Sequence, residues 1–261
     1  MDNNSNSFHS LIDSGLTGKT ALVTGGARGI GRATCMALAA HGMQVGIHYQ
    51  NQAEAAAEVA QVIQAAGGQA FAFQSDLAEA SGPTTLVNAV IEQFGQIDVL
   101  INNAGEMTDT LIAEMPEAMW ERSLAQNLTT AVRCARASLE TMIPKRWGRI
   151  INITSQVTFN GAGNHAHYAA SKSGLAGFSY SLAKEVGSYG VTVNLIAPGR
   201  IIMDTSANAP INQEDEWLQQ TPLRRFGQPE EVAATAAFLA SSAAGYITGA
   251  TIYVNGGLVM G

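Results

Sequence analysis

The stretch of sequence that decides the fold is Thr24-Gly25-Gly26-Ala27-Arg28-Gly29-Ile30-Gly31. It follows a short apolar run at 20–23, which predicts a buried strand, and leads into an alanine-rich segment at 32–41, which predicts a helix. Glycine permits a tight turn and lets a phosphate approach the backbone, where unpaired N–H groups at the helix start attract the anion. The pattern therefore predicts a nucleotide-phosphate site, although glycines at such a turn also serve close packing alone.

The composition is that of a globular protein. The chain has 261 residues, of which 46% are hydrophobic and 13% are charged. The formal net charge of −7 argues against a nucleic-acid or anionic-membrane surface, because both would repel an acidic protein. Cys35 and Cys134 are too few for a disulfide framework or a zinc site, and we expect buried free thiols. His165 and His167 lack cysteine or carboxylate neighbours in the sequence, so we expect no metal.

Residues 1–15 are polar and lack the basic start and apolar core of a signal peptide, so we expect a flexible N-terminal tail. No segment reaches about 18 uninterrupted apolar residues, so we expect no membrane span and a cytoplasmic protein. Residues 16–261 carry no repeat and no linker, which predicts one domain, with a substrate lid near 200–228.

Strand and helix patterns alternate along the whole chain. This alternation predicts a single-domain, α/β, Rossmann-type doubly wound parallel sheet of about seven strands with helices on both faces. Ligands of such sheets bind beyond the carboxyl ends of the strands, and the polar motifs of this chain follow predicted strands. The predicted strands span residues 20–23, 44–49, 69–74, 97–102, 148–154, 191–196 and 251–254.

Tyr168 and Lys172 form the strongest candidate for acid–base chemistry. They are spaced i, i+4 at the start of a predicted helix, so both side chains lie on one face. A nearby cation favours the phenolate and lowers the pKa of a tyrosine, although exposed Tyr–Lys pairs without function are also common. Ser155 follows the fifth predicted strand, where its hydroxyl is a candidate to bond a substrate carbonyl.

The motifs occur in one order along the chain, and this order carries a family resemblance. They are T-G-x-x-x-G-x-G at 24–31, N-N-A-G at 102–105, Asn127, Ser155, Y-x-x-x-K at 168–172 and Pro198-Gly199. From about residue 16 to about residue 257 the chain resembles the short-chain dehydrogenase/reductase family. The resemblance implies a Rossmann-type domain and hydride transfer between a nicotinamide and a carbonyl or alcohol.

The resemblance also implies a role for each member of a catalytic tetrad. Tyr168 is the expected proton donor to the carbonyl oxygen, and Ser155 is expected to orient that carbonyl. Lys172 is expected to hold the nicotinamide ribose and to depress the pKa of the tyrosine. Asn127 is expected to hold a water that relays protons to Lys172.

The cofactor contacts implied by the resemblance span most of the chain. They are Gly25, Arg28, Gly29, Ile30, Gly31, Asp76, Leu77, Asn103, Ala104, Gly105, Tyr168, Lys172, Pro198, Gly199 and Ile201. Asp76 resembles the aspartate that meets the adenine amine. The threonine expected to bond the carboxamide is replaced by Met203, which leaves Thr205 and the backbone of Ile201 as candidates.

The sequence favours NADPH over NADH. The residues that end the second predicted strand, His48-Tyr49-Gln50-Asn51, include no carboxylate to accept bonds from the adenosine ribose and repel a 2′-phosphate. Arg28, inside the glycine loop, is a candidate to pair with that phosphate, although it could also simply face solvent.

The substrate is less well defined by sequence. The segments 24–31, 221–232 and 246–257 are most similar to 3-oxoacyl-[acyl-carrier-protein] reductases, but similar segments occur in sugar, polyol and ring-ketone dehydrogenases. Lys145 and Arg146 match a basic position expected near the site mouth of carrier-protein reductases. A second basic position is expected near the end of the tyrosine helix, where this chain has Ser188-Tyr189-Gly190 instead. Carrier-protein docking is therefore doubtful. A nucleotide sensor without turnover is a third hypothesis, which the complete tetrad disfavours. The family resemblance implies a homotetramer, in which Trp120 and Val132 are candidate contacts.

Overall fold

Seven parallel strands form one sheet in the computed structural model, which describes residues 14–202 and 211–260. The order across the sheet is β3-β2-β1-β4-β5-β6-β7, and every neighbouring pair is parallel. The predicted fold class is therefore confirmed. The strands are β1 (Thr20–Val23), β2 (Gln44–Tyr49), β3 (Gln69–Gln74), β4 (Val99–Asn102), β5 (Gly148–Ile153), β6 (Val191–Pro198) and β7 (Thr251–Val254).

Helices connect the strands and cover both faces of the sheet. They are α1 (Gly29–Ala40), α2 (Ala53–Ala65), α3 (Gly82–Phe94), α4 (Glu117–Leu124), α5 (Thr130–Lys145), α6 (Val157–Asn160), α7 (Ala166–Val186), α8 (Ile211–Gln220) and α9 (Pro229–Ala240). A π-helical turn, Ala125–Thr129, joins α4 to α5. None of the helices in the described parts of the chain is both long and apolar enough to cross a membrane.

Two apolar layers hold the helices to the sheet. Successive strand residues point to opposite faces, so Val23 of β1 joins one layer and Leu22 the other. The layer that contains Val23 packs beneath α1, α2 and α9, and the layer that contains Leu22 packs beneath α3, α5 and α7. Cys35 and Cys134 lie in these layers as buried free thiols, as predicted, and burial raises the pKa of Cys134 to about 12.

The sequence predicts one long helix near 116–142 and an irregular stretch at 198–228, and the helix prediction is wrong in its regularity. The structure contains α4 and α5 there, separated by the π turn, and α5 continues to Lys145 with Pro144 in its last turn. Apolar periodicity does not report a single wider turn, because the flanking helices keep the same spacing. The stretch 198–228, which we expected to be irregular, contains α8.

The sheet order places the glycine loop and the N-N-A-G motif side by side. β1 pairs with β2 on one side and with β4 on the other, so the chain changes direction across the sheet between β1 and β4. In sheets of this type the ligand crevice opens at that point, beyond the carboxyl ends of the strands. The same edge carries the residues that follow β5 and β6, which include Ser155 and Gly199.

A buried polar network fixes two of the strands that carry the site. The Asn102 side chain donates to Asn152 Oδ1 at 2.8 Å, and the Asn152 side chain donates to Ser179 Oγ at 2.7 Å. All three residues are buried, and Ser179 in turn donates to the Leu175 carbonyl of α7. The network therefore links the carboxyl ends of β4 and β5 to the helix that bears Tyr168.

Asn152→Ala should lower the free energy of unfolding by about 1–3 kcal/mol, because it removes the buried partner of both Asn102 and Ser179. Urea unfolding followed by circular dichroism measures the change. Ser173→Ala is the matched control, since the Ser173 side chain is exposed, and it should stay within about 0.5 kcal/mol of the wild type. Equal effects of the two substitutions would contradict a stabilising role for the network.

Candidate active site

The glycine loop between β1 and α1 depends on two of its glycines. Gly25 has a positive φ of 65°, a conformation that L side chains rarely adopt. A Cβ at Gly31 would collide with the Gly25 carbonyl oxygen and lie 2.8 Å from Asn103 Nδ2. The backbone of the loop therefore folds closely on itself at the start of α1, where main-chain N–H groups face outward from the helix.

Thr24 and Asn103 clamp this loop to the end of β4. The Thr24 hydroxyl accepts hydrogen bonds from the N–H groups of Asn103 and Ala104, at 2.9 and 3.0 Å. The Asn103 side chain donates in return to the carbonyls of Thr24 and Gly25, at 2.9 and 3.1 Å. Asn103, an expected cofactor contact, thus has its amide nitrogen committed to shaping the glycine loop.

His48, at the end of β2, supports the loop from the other side. Its Nδ1 accepts the Gly25 N–H at 3.0 Å, its Nε2 lies 3.1 Å from the Ser75 carbonyl, and its own carbonyl accepts the Gly26 N–H. Only the neutral ring with the proton on Nε2 satisfies both ring contacts. Burial lowers the pKa of His48, partly offset by the Ser75 carbonyl and by the Asp76 carboxylate, so the neutral form is favoured.

Arg28, the predicted phosphate reader, lies at the end of the glycine loop. It is the residue that precedes α1, its side chain is exposed, and it forms no ion pair with any residue in 14–202 or 211–260. The neighbouring Arg32 instead approaches Glu58 of α2 at 3.6 Å. Asp76, the expected adenine contact, accepts the N–H of Ala78.

Tyr168 and Ser155 meet at the carboxyl edge of the sheet. Tyr168 is the third residue of α7, and Ser155 follows β5 by two positions. Burial raises the pKa of Tyr168 above its ordinary value, and a hydrogen bond with the Ser155 side chain lowers it by a smaller amount. The expected net depression of the tyrosine pKa is therefore not found in the isolated chain, because burial of the phenol dominates.

Lys172 is buried beside this pair. Its Nζ donates to the Ile153 carbonyl at 2.8 Å and lies 5.7 Å from the centroid of the Tyr168 ring. Burial lowers the pKa of Lys172 to about 8. The ammonium group is thus charged at neutral pH and titrates close to it, which suits a group that takes part in proton transfer.

Asn127 lies in the π turn and reaches the segment that follows the N-N-A-G motif. Its Oδ1 accepts the Glu106 N–H at 3.0 Å, and its Nδ2 donates to the Glu106 carbonyl at 2.9 Å. A Cβ at Gly105 would lie 2.6 Å from Asn127 Oδ1 and 3.4 Å from Lys172 Nζ. The side chain of Asn127 therefore anchors Glu106, and its expected role in holding a water stays a prediction.

The remaining expected cofactor contacts lie along the same edge. Pro198 ends β6, and a Cβ at Gly199 would lie 2.7 Å from the Asn255 Cα, so the backbone is closely packed there. Ile201 forms an isolated bridge with Gly227. Leu77 is buried and its carbonyl accepts a bond from Thr130. Met203 and Thr205 lie outside the described residues.

Arg200, which the motifs did not reveal, contacts the segment that was predicted to form a lid. Arg200 donates to the Trp217 carbonyl of α8 and to Gln220 Oε1, both at 2.9 Å, and its guanidinium lies 5.1 Å from the centre of the Trp217 ring. The lid itself stays a prediction. Residues 203–210 and the side chains of Glu214 and Asp215 lie outside the described part.

The basic pair expected near the site mouth, Lys145 and Arg146, lies at the opposite edge of the sheet from Tyr168. Arg146 precedes β5 and donates to the Ser188 carbonyl at 2.7 Å, just before β6. Both positions belong to the amino ends of the strands, on the edge opposite to Tyr168. Within one chain, Arg146 therefore does not flank the site.

Comparison with known proteins places this arrangement in a family. Residues 25–259 match the family model described as Enoyl-(Acyl carrier protein) reductase. A protein of Synechocystis, named 3-oxoacyl-[acyl-carrier-protein] reductase, is 47% identical over 246 residues, which cover 94% of this chain and 98% of that protein. The chain belongs to the short-chain dehydrogenase/reductase family.

Two further relatives of this short-chain dehydrogenase/reductase bear the same activity name. Those of Staphylococcus epidermidis and Staphylococcus aureus strain Mu50 are 41% and 42% identical over 242 residues, covering 93% of this chain and 99% and 98% of theirs. The chain is thus an NAD(P)-dependent oxidoreductase acting on CH–OH or C=O groups. The predicted family and reaction class are confirmed.

Replacing His48 should change how the stability of this short-chain dehydrogenase/reductase depends on pH. Because burial lowers the His48 pKa from 6.5, the unfolded chain takes up the proton first, and the free energy of unfolding falls as pH drops below 6.5. The slope from this group is at most about 1.4 kcal/mol per pH unit. His48→Asn keeps an acceptor for the Gly25 N–H but cannot titrate.

Urea unfolding of wild type and His48→Asn at about pH 7.5 and about pH 5.5 measures the difference, since all other titrating groups are shared. We expect the wild type to lose more stability than the variant over this interval. The same loss in both proteins would show that His48 keeps an ordinary pKa in the folded chain.

Proposed function

We propose that this protein is an NADPH-dependent reductase of 3-oxoacyl thioesters in which Tyr168 protonates the carbonyl oxygen. The observation that carries the proposal is the meeting of Tyr168, Ser155 and Lys172 beyond β5, beside the glycine loop. The raised pKa of Tyr168 supports this direction, because the phenol keeps its proton at neutral pH and is ready to donate it.

Each side chain of the site has a distinct task in this proposal. The Ser155 hydroxyl would donate to the substrate carbonyl oxygen and orient it toward Tyr168. The Lys172 ammonium would favour the phenolate that forms when Tyr168 gives up its proton. Asn127 would hold the backbone of Gly105 and Glu106 in place beside Lys172. Because residue 105 is a glycine, no side chain lies between this backbone and the ammonium group.

The glycine loop and the N-N-A-G motif would together form the binding surface for a dinucleotide. Gly25, Gly31 and Gly105 allow the segments that shape this surface to pack closely, because a Cβ at any of them would come within about 3.2 Å of neighbouring protein atoms. The start of α1 would hold the pyrophosphate, and Lys172 would hold the nicotinamide ribose. When bound, NADPH supplies the hydride that the carbonyl carbon receives.

The preference for the phosphorylated cofactor rests on charge. Gln50 and Asn51, which directly follow β2, are exposed. Their side chains neither repel a 2′-phosphate nor bond the ribose as a carboxylate would. Arg28 is exposed and free of ion pairs within the described ranges, which supports its assignment as the phosphate reader.

The named relatives and a group of exposed apolar side chains after β4 support the proposed substrate class. Met107, Leu111 and Ile112 follow β4 and are 59%, 53% and 67% exposed, respectively. Such side chains suit an acyl chain better than the hydroxyls of a sugar or polyol. An acyl carrier protein as the donor of that chain is a further possibility, which the remote position of Arg146 does not support.

Assembly and location belong to the same proposal. We expect a cytoplasmic homotetramer, as the family resemblance implies. Trp120 and Val132 are only half-buried in the single chain, which is compatible with contacts between subunits as well as with partial core burial.

Tyr168→Phe should abolish reduction without affecting cofactor binding. We expect kcat with NADPH and an acetoacetyl thioester to fall by about 10²–10⁴-fold, because the variant lacks the proton donor. The Kd for NADPH, measured by fluorescence titration, should change by less than about twofold. Retained turnover would contradict the mechanism. A wild-type enzyme that binds NADPH but reduces only sugars, polyols or ring ketones would contradict the substrate class alone.

Arg28→Ala should weaken the binding of NADPH by about 10–100-fold and leave that of NADH unchanged, because a charge-assisted bond to the phosphate is worth about 1.5–3 kcal/mol. Arg32→Ala is the matched control, since Arg32 is the next arginine along α1 and already pairs with Glu58. Equal weakening of both cofactors, or an equal effect of the control, would reject Arg28 as the phosphate reader.

A further inference from the structure

The segment Gly105–Thr110 connects two members of the catalytic tetrad. At one end, both backbone groups of Glu106 are bonded to the side chain of Asn127. At the other end, the segment contacts the loop that leads into α7 and Tyr168. We refer to Gly105–Thr110 as the bridging segment.

Three contacts join the bridging segment to the loop before Tyr168. The Thr108 hydroxyl lies 3.0 Å from His167 Nε2, and the Thr110 N–H donates to the Asn164 carbonyl at 2.9 Å. Asp109 Oδ1 lies 2.6 Å from His165 Nε2. These contacts therefore hold the bridging segment to residues 164–167 at successive positions along the site mouth.

The Thr108–His167 contact is the one best protected from water. His167 is 1% exposed, whereas the side chain of Asp109 is 78% exposed, so the Asp109–His165 pair is screened by solvent. His167 Nδ1 has no hydrogen-bond partner within the described ranges. The hydroxyl of Thr108 is therefore the only hydrogen-bond partner of the ring in that part of the chain.

His167 is also placed to transmit a displacement to the reacting group. It is the second residue of α7 and directly precedes Tyr168. A buried ring that loses its partner either keeps an unsatisfied nitrogen or moves toward another one, and both change the first turn of the helix. Proton transfer depends on positions to within fractions of an ångström, so small shifts of Tyr168 lower the rate.

We propose that Thr108 and His167 are positioning residues, whose hydrogen bond between the bridging segment and α7 sets the place of the Tyr168 hydroxyl. The proposal rests on the proposed function, because it assumes that Tyr168 is the proton donor. It assigns to the bridging segment a role beyond lining the mouth, since the segment holds Asn127 at one end and Tyr168 at the other.

Substitutions of two threonines in the same segment test the proposal. Thr108→Val removes the hydroxyl with little change in shape, and Thr108→Ser keeps it. Thr110→Val makes the same change at a side chain that, among the described residues, bonds only the neighbouring Leu111 carbonyl. We expect kcat of Thr108→Val to fall by about 10-fold or more, with KM and the Kd for NADPH within about twofold. Thr108→Ser and Thr110→Val should stay within about threefold of the wild type.

Substitutions of the histidine test the same bond from the other side. His167→Leu should lower kcat as Thr108→Val does, and His167→Gln, whose amide group can approach the Nε2 position, should recover most of the loss. The double variant Thr108→Val/His167→Leu should be no slower than His167→Leu alone, because both changes remove one interaction.

A kcat of Thr108→Val equal to that of Thr110→Val would overturn the proposal, and so would additive losses in the double variant. A second readout does not require turnover: ultraviolet difference titration of each variant against its Tyr168→Phe counterpart reports the ionisation of Tyr168. We expect this titration to shift in Thr108→Val and not in Thr110→Val. If the wild type reduces no carbonyl compound, the proposed function fails, while this titration still decides the positioning role.

Discussion

The site depends on the hydrogen bonds made by the hydroxyl group of Thr24. It accepts the N–H groups of Asn103 and Ala104 and lies within hydrogen-bond distance of the Ile101 carbonyl. One small side chain at the end of β1 thus satisfies the backbone of the neighbouring strand just where regular pairing stops. Because buried backbone groups are costly when unpaired, this arrangement lets β1 and β4 part and open a crevice without loss of stability. The glycine loop and the bridging segment both begin at this point.

The chemistry at the other end of the crevice depends on burial. Lys172 is buried and its ammonium group donates to the Ile153 carbonyl, and this burial lowers its pKa to about 8. The same burial acts in the opposite direction on Tyr168, whose neutral phenol is favoured. The two shifts therefore separate the proton affinities of the two groups: the phenol holds its proton more firmly, and the ammonium gives its proton up more readily. A site of this kind sacrifices some stability, because a buried ammonium is less well solvated than an exposed one.

Much of the fold and the site could be predicted from sequence, because the evidence is local. The bounds of β1, β2, β3 and β7 agree with the apolar runs, and the i, i+4 spacing of Tyr168 and Lys172 is a property of one helix. What could not be predicted depends on contacts between distant segments. The role of His48 requires the carbonyl of Ser75 and the N–H of Gly25 to lie on either side of one ring. The direction of the Tyr168 pKa shift depends on how deeply the phenol is buried. The bond between Asn127 of the π turn and the Glu106 carbonyl joins segments that are distant in sequence. None of these leaves a periodic pattern in the chain.

The π turn at Ala125–Thr129 has a consequence for the geometry of the long helical region. One additional residue in a turn rotates everything beyond it by about 100° relative to a continuous α-helix. The helices α4 and α5 therefore present different angular faces. The α5 face, with Cys134 and Met142, packs on the sheet, while α4 is free to turn its buried side toward α7. The extra residue of the π turn thus shifts the angular phase of the helical region, so that α5 packs on the sheet and α4 packs against α7.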